Sequence, residues 1–167
     1  MADIQKFVIM GVSGSGKSSV GATLSEKTGA PYVDGDDLHP KSNIEKMSAG
    51  IPLTDEDRWP WLAAVGERLG SHEGKIFIGC SALKHSYRDL IREKAGEPVL
   101  FIHLTGAKEV IAERMKHRPG HFMPTSLLDN QFATLEPPGE GELSVDADIG
   151  QPLDEVVRDI LNKIGRN

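Results

Sequence analysis

The chain has 167 residues, 38% of them hydrophobic and 26% charged, a globular balance large enough for one domain and far from the disordered regime. A net charge of −6 argues against broad binding to nucleic acid or anionic membranes, which need a cationic face. The single cysteine, Cys80, excludes an intramolecular disulfide; it reads as a small buried hydrophobe, and with no leader or membrane-length apolar run the expected compartment is the cytoplasm.

Lys6 to Met10 reads as a buried strand, and Gly11 to Gly16 punctuates it before helical spacing from Lys17 to about Thr28. A short strand, Pro31 to Val33, delivers Asp34, Asp36 and Asp37, and a helix is expected from His39 to Ser48. Thr54 with Asp57 resembles a capping pair, and Pro60 fits the first turn of a helix running to about Leu69. Strands at Lys75 to Cys80 and Val99 to Leu104 alternate with helices at about Ser86 to Ala95 and Lys108 to Lys116. Proline and glycine in Arg118 to Pro124 mark a mobile connection before a helix near Ser126 to Leu135. A short last strand, Leu143 to Ile149, precedes a helix from Leu153 to Ile164 whose apolar stripe reads as ordinary core packing. Strands alternating with helices imply a parallel sheet covered on both faces, with ligands at its C-terminal edge.

Gly11 to Ser18 matches G-x-x-x-x-G-K-[ST] in full, between a strand and a helix as that motif requires. Its main-chain N–H groups would wrap phosphate oxygens, Lys17 would reach the β- and γ-phosphates of ATP, and the Ser18 hydroxyl would ligate Mg²⁺. The expected nucleotide-binding set is Gly11, Ser13, Gly14, Ser15, Gly16, Lys17, Ser18 and Ser19. A dinucleotide fingerprint fails, because Ser19 stands where a third glycine is wanted.

Asp34 and Asp36 flank Gly35, whose lack of a side chain would leave room for close ligand approach, so both carboxylates can lean over one cleft. One would hold the metal's water shell and the other orient the attacking hydroxyl. The alternative is a turn rich in Asp and Gly, with Asp37 capping the following helix. Arg58, Lys84, Arg88, Arg114 and Arg118 supply cations near element ends; Lys84 and Arg88, four apart, would repel on a helix face unless an anion lay between them. Arg114 and Arg118 flank the mobile connection in the manner of a closing lid, which would bring guanidinium groups onto the transferring phosphoryl. His117 and His121 are separated by helix-breaking Pro119 and Gly120 and are not read as a metal pair.

Taken together, Asp34 to Pro40, Gly50 to Arg58 with Pro60-Trp61-Leu62, Cys80 to Lys84 with Tyr87-Arg88-Asp89, Gly120 to Met123, and Gln151-Pro152-Leu153 make the sequence resemble the gluconate kinase family, thermoresistant type, among P-loop small-molecule kinases related to shikimate and nucleoside monophosphate kinases. The resemblance implies an α/β, three-layer P-loop fold with a five-stranded parallel sheet, a helical substrate region at about 38–72, a lid at about 116–135, and a homodimer. It implies phosphoryl transfer from ATP to the terminal hydroxyl of D-gluconate. On matching positions, Asp36 would be the base, Asp34 a magnesium-side carboxylate, and Lys17 and Arg118 catalytic. Arg58, Lys84 and Arg88 would hold gluconate, His39 would add a hydroxyl contact or serve packing, and Pro152 would lie against adenine with Arg114. The aspartates of Leu143 to Ile149 show no usable pattern. The rival readings are a kinase for another small acceptor, shikimate or a nucleoside monophosphate, and a nucleotide-dependent switch; no guanine-reading N-K-x-D occurs.

Overall fold

The computed structural model describes residues 4–12, 14–116 and 125–165, and of residues 114–116 and 125–127 only the backbone. Five strands, β1 (Lys6–Met10), β2 (Tyr32–Asp34), β3 (Ile76–Gly79), β4 (Val99–Thr105) and β5 (Ser144–Asp148), form one sheet in the order β2-β3-β1-β4-β5. Every neighbouring pair is parallel, so all five C-terminal ends open onto one edge.

Alternation along β1 sends Phe7 and Ile9 to one face and Val8 and Met10 to the other. The first face is covered by α1 (Lys17–Thr28) through Val20 and Leu24 and by α7 (Leu153–Ile164) through Val156, Val157 and Ile160. The second is covered by α3 (Asp55–Ser71) through Trp61, Leu62, Val65 and Leu69 and by α4 (His85–Ala95) through Tyr87 and Ile91. Near-continuous apolar strands are what a sheet buried on both faces requires. The remaining helices are α2 (Lys41–Ser48), α5 (Lys108–Lys116) and α6 (Thr125–Thr134). Among the described residues no helix is long and apolar enough to cross a membrane.

Three local expectations are corrected. The helix expected from His39 begins at Lys41, because His39 precedes Pro40 and is pushed into an extended conformation (φ −64°, ψ 138°); a 3-10 turn occupies Gly35–Leu38 before it. Thr54 and Asp57 do form a reciprocal capping box, but α3 therefore starts at Asp55, which moves Pro60 into the second turn, on the exposed side. Leu153 is not ordinary core, being 41% exposed at the start of α7.

Candidate active site

The phosphate loop leaves β1 at the centre of the sheet and enters α1 through Gly16, whose φ of 96° and ψ of 22° are left-handed and favour glycine. The first N–H groups of a helix have no intrahelical acceptor, so the start of α1 presents donors and partial positive charge at this point. The Lys17 ammonium curls over the loop, donating to the carbonyls of Gly11 (3.0 Å) and Val12 (3.1 Å). Ser18 and Ser19 are exposed beside it, and the Ser18 side chain shares a hydrogen bond with the Tyr32 hydroxyl, whose pKa burial pushes up to about 12. The Ser15 hydroxyl is buried, and no hydrogen-bond partner for it occurs among the described residues. Ser13 lies outside those residues.

Beside the loop runs a cavity of about 520 Å³, lined by Gly14, Gly16, Ser19, Ile149, Pro152 and Leu153 among others. The expected Pro152 is there, and the exposed Leu153 is accounted for as part of the wall. The apparently patternless aspartates have distinct local roles. Asp148 accepts from the Gly150 N–H at 2.8 Å, turning the chain toward Gln151 and Pro152, while Asp146 pairs with the buried His103 at 3.5 Å. The D-x-G spacing of Asp148 and Gly150 was the available signal for this turn. Of Arg114 only the backbone is described, and Arg118 lies outside the described residues.

On the other side of the loop stand the two carboxylates. Asp34 accepts from the Asp36 N–H at 2.9 Å and so caps the 3-10 turn, while the following helix, for which Asp37 is the expected cap, starts from Pro40 with no side-chain cap. Gly35 answers to protein packing: a Cβ there would lie 2.3 Å from the Gly79 carbonyl, and its own carbonyl accepts from Trp61 Nε1 at 2.8 Å. This close approach to β3 replaces the expected close approach to a ligand. The Asp36 side chain, thereby aimed outward, is 79% exposed. Its pKa is raised by surrounding protein and by Asp34, with Lys17 opposing the shift. Lys17 is thus close enough to Asp36 to feel its charge.

His39 lies flat on Trp61, ring centroids 4.1 Å apart and 15° from parallel. Asn43 Nδ2 donates to the Asp57 carbonyl (2.8 Å), which can only accept, and its second hydrogen faces His39 Nδ1 at 3.2 Å. Nδ1 is therefore the acceptor and Nε2 carries the proton, pointing toward Asp36 Oδ1 at 4.0 Å. Burial first, then the Arg58 charge, lowers the ring's pKa to about 4 and keeps it neutral. His39 combines the packing role with one N–H directed at the cleft.

Arg58 and Lys84 converge farther along. Arg58 NH1 donates to the Tyr87 hydroxyl at 3.2 Å, and Lys84 Nζ lies 3.2 Å from Asp55 Oδ2. Arg88 does not join them. It is 0% exposed, with Nε on Glu142 Oε1 (2.8 Å), NH1 on the Ala82 carbonyl (2.7 Å) and NH2 on the Glu136 carbonyl (2.8 Å). The substrate contact expected of Arg88 is corrected to a clasp on residues 136–142. Lys84 is the N-cap of α4, one residue outside the helix, which separates it from Arg88. Asp55 and Tyr87, which the sequence offers only as parts of family-like motifs, and Glu142 are given no role by sequence, since their partners lie far away along the chain.

A phosphate loop at the centre of a parallel sheet, faced by an exposed carboxylate with two cations beyond it, defines a P-loop kinase for a small acceptor. The family model described as Shikimate kinase matches residues 13–135. The thermoresistant gluconokinase of Escherichia coli (strain K12) is 48% identical over 95% of this chain and 92% of its own. The crystal structure of a gluconokinase from Sinorhizobium meliloti 1021 is 56% identical, with a TM-score of 0.89 over 97% of this chain and 92% of that one. A shikimate kinase structure from Bacteroides thetaiotaomicron, at 13% identity and a TM-score of 0.69, shares the fold. The chain belongs to the gluconokinase family.

Proposed function

We propose that the protein transfers the γ-phosphoryl group of ATP to the terminal hydroxyl of D-gluconate, giving 6-phospho-D-gluconate. The observation that carries this reading is a chain of neighbours: Lys17 bears on the charge of Asp36, His39 lies 4.0 Å from Asp36 and feels the charge of Arg58, and Arg58 and Lys84 share Asp55. A linear acid with a reacting alcohol at one end and a carboxylate at the other fits that order. Relatives named gluconokinases support the same substrate.

The loop amides and Lys17 hold the phosphates, and the cavity at Pro152 suits a nucleobase. Asp36 orients the acceptor hydroxyl and takes its proton as the bond to phosphorus forms, assisted by the neutral N–H of His39. A loose transition state asks little early proton removal, so a carboxylate suffices as base. Among the described residues no group of three His, Cys, Asp or Glu side chains could hold a metal ion. The residues fit a magnesium ion that arrives with the nucleotide: the exposed Ser18 hydroxyl would ligate it and Asp34 would hold its water shell. Such an ion supplies charge neutralisation on the phosphates. Residues 38–72 would form the acceptor side, and the lid expected at about 116–135, with Arg114 and with Arg118, which lies outside the described residues, would close on the phosphoryl group. A homodimer in the cytoplasm completes the reading.

A coupled assay of ADP release against a panel of sugar acids, sugars, shikimate and nucleoside monophosphates tests it. ADP release dependent on gluconate, with a phosphorylated product, is expected; release indifferent to any acceptor would point to a switch instead.

A further inference from the structure

The cations at the acceptor end already share a carboxylate. Asp55 accepts from the Tyr87 hydroxyl at 2.5 Å and from Lys84 Nζ at 3.2 Å, and lies 3.8 Å from Arg58 NH1. Lys84 Nζ and the Arg58 guanidinium carbon also stand 5.5 Å and 5.8 Å from the centre of the Tyr87 ring. Helix capping does not explain this carboxylate. Asp57 completes the capping box of α3 and is neutralised by Lys46 at 2.8 Å, and Glu56 also supplies acidic charge to the first turn. Asp55 instead reaches across to α4, to partners 29 and 32 positions away. Its side chain is 38% exposed, that of Arg58 33% and that of Lys84 32%, so the cluster is open to solvent, and Arg58 is near enough to His39 for its charge to bear on that ring.

Charge counting gives this arrangement a purpose. Arg58 and Lys84 bring two positive charges and Asp55 removes one, leaving a single positive charge at that end. Toward the reacting end, Asp36 is acidic and His39 is neutral, so neither adds another. We propose that Asp55 is a specificity-determining counter-charge, which matches the pocket to an acceptor carrying one negative charge remote from its reacting hydroxyl and rejects acceptors carrying two there. The inference rests on the gluconate reading above and adds the discrimination between an aldonic acid and an alditol phosphate. A doubly charged terminus would face one net positive charge together with the repelling Asp55 carboxylate.

The test uses the full-length enzyme with ATP and Mg²⁺ and three six-carbon acceptors: D-gluconate, D-glucitol and D-mannitol 1-phosphate, with one, no and two negative charges at the remote end. In Asp55→Asn the ratio of kcat/KM for mannitol 1-phosphate to that for gluconate should rise about tenfold or more. In Lys84→Met the ratio for glucitol to gluconate should rise by about the same factor. The double variant, with the wild-type charge count, should recover preference for gluconate over glucitol relative to Lys84→Met. Equal loss on all three acceptors in Asp55→Asn, or a double variant less selective than Lys84→Met, would overturn the proposal. If Asp55→Asn does not fold, an unchanged glucitol ratio in Lys84→Met overturns it alone. A wild-type enzyme inert toward gluconate removes the substrate reading first, and this inference with it.

Discussion

Arg88 and Glu142 form an ion pair sealed from water: their side chains are 0% and 3% exposed, and Nε meets Oε1 at 2.8 Å. Arg92 and His85 also reach Glu142, and the Gly139 N–H donates to it at 2.9 Å. Burial opposes the charge on Glu142, yet these donors hold its carboxyl far below the usual range. Glu142→Ala would leave the Arg88 charge buried with its carboxylate partner gone and should cost roughly 3–5 kcal/mol in urea unfolding. Arg88→Met with Glu142→Leu should restore most of that. A cost under about 1 kcal/mol for Glu142→Ala would show that the pair does not bear on stability.

Asp36→Asn keeps the shape of the base and removes its proton affinity, so kcat should fall about 100-fold to 10,000-fold with little change in the KM for ATP. Because surrounding protein and the Asp34 charge raise its pKa, the acid limb of kcat/KM in the wild type should sit above the ordinary aspartate range. A pH profile of the wild type in which that limb lies at an unshifted carboxylate value would remove Asp36 from the role.

His39 makes the fold sensitive to mild acid. Its pKa drops from 6.5 to about 4 on folding, so the folded state binds fewer protons than the unfolded one. Stability is intact above pH 6.5 and is lost as pH falls toward 4. Between pH 7 and pH 5 the ring alone should account for roughly 2 kcal/mol of that loss. Denaturation curves of wild type and His39→Gln at both pH values should diverge by about that amount, and parallel slopes would refute the assignment.

Arg58→Ala should raise the KM for gluconate about tenfold or more while leaving the KM for ATP near its wild-type value. The Arg58 charge also helps keep the His39 ring neutral, so the variant should titrate His39 at a higher pH, readable by NMR. Equal damage to both KM values would show that Arg58 holds the fold together and does not read the acceptor.

What the sequence disclosed and what it hid divide along the reach of the interactions. The phosphate loop is written in eight adjacent residues, and the capping box of Thr54 and Asp57 in four; patterns that short carry their own geometry. Strand and helix order followed from apolar spacing for the same reason. Arg88 was misread because its partner Glu142 stands 54 positions on, in a segment with no repeating pattern. Asp55 was passed over because its partners belong to α4, and only the packing of α3 on α4 brings them together. The orientation of Asp36 depended on Gly35 pressing on Gly79 and on an indole N–H from Trp61, neither of which a turn-like D-G-D string announces.

The strand order β2-β3-β1-β4-β5 has a bearing on how such enzymes diversify. The residues assigned to the acceptor under the proposed function hang from one flank of β1, and the cavity wall at Ile149 to Leu153 hangs from the other; the phosphate loop lies between them, and the Arg88–Glu142 pair ties α4 to the segment that leads into β5. Under the proposed function, a new alcohol is recruited by rewriting the positions between β2 and α4 that stand clear of this pair, with the phosphate loop inherited whole.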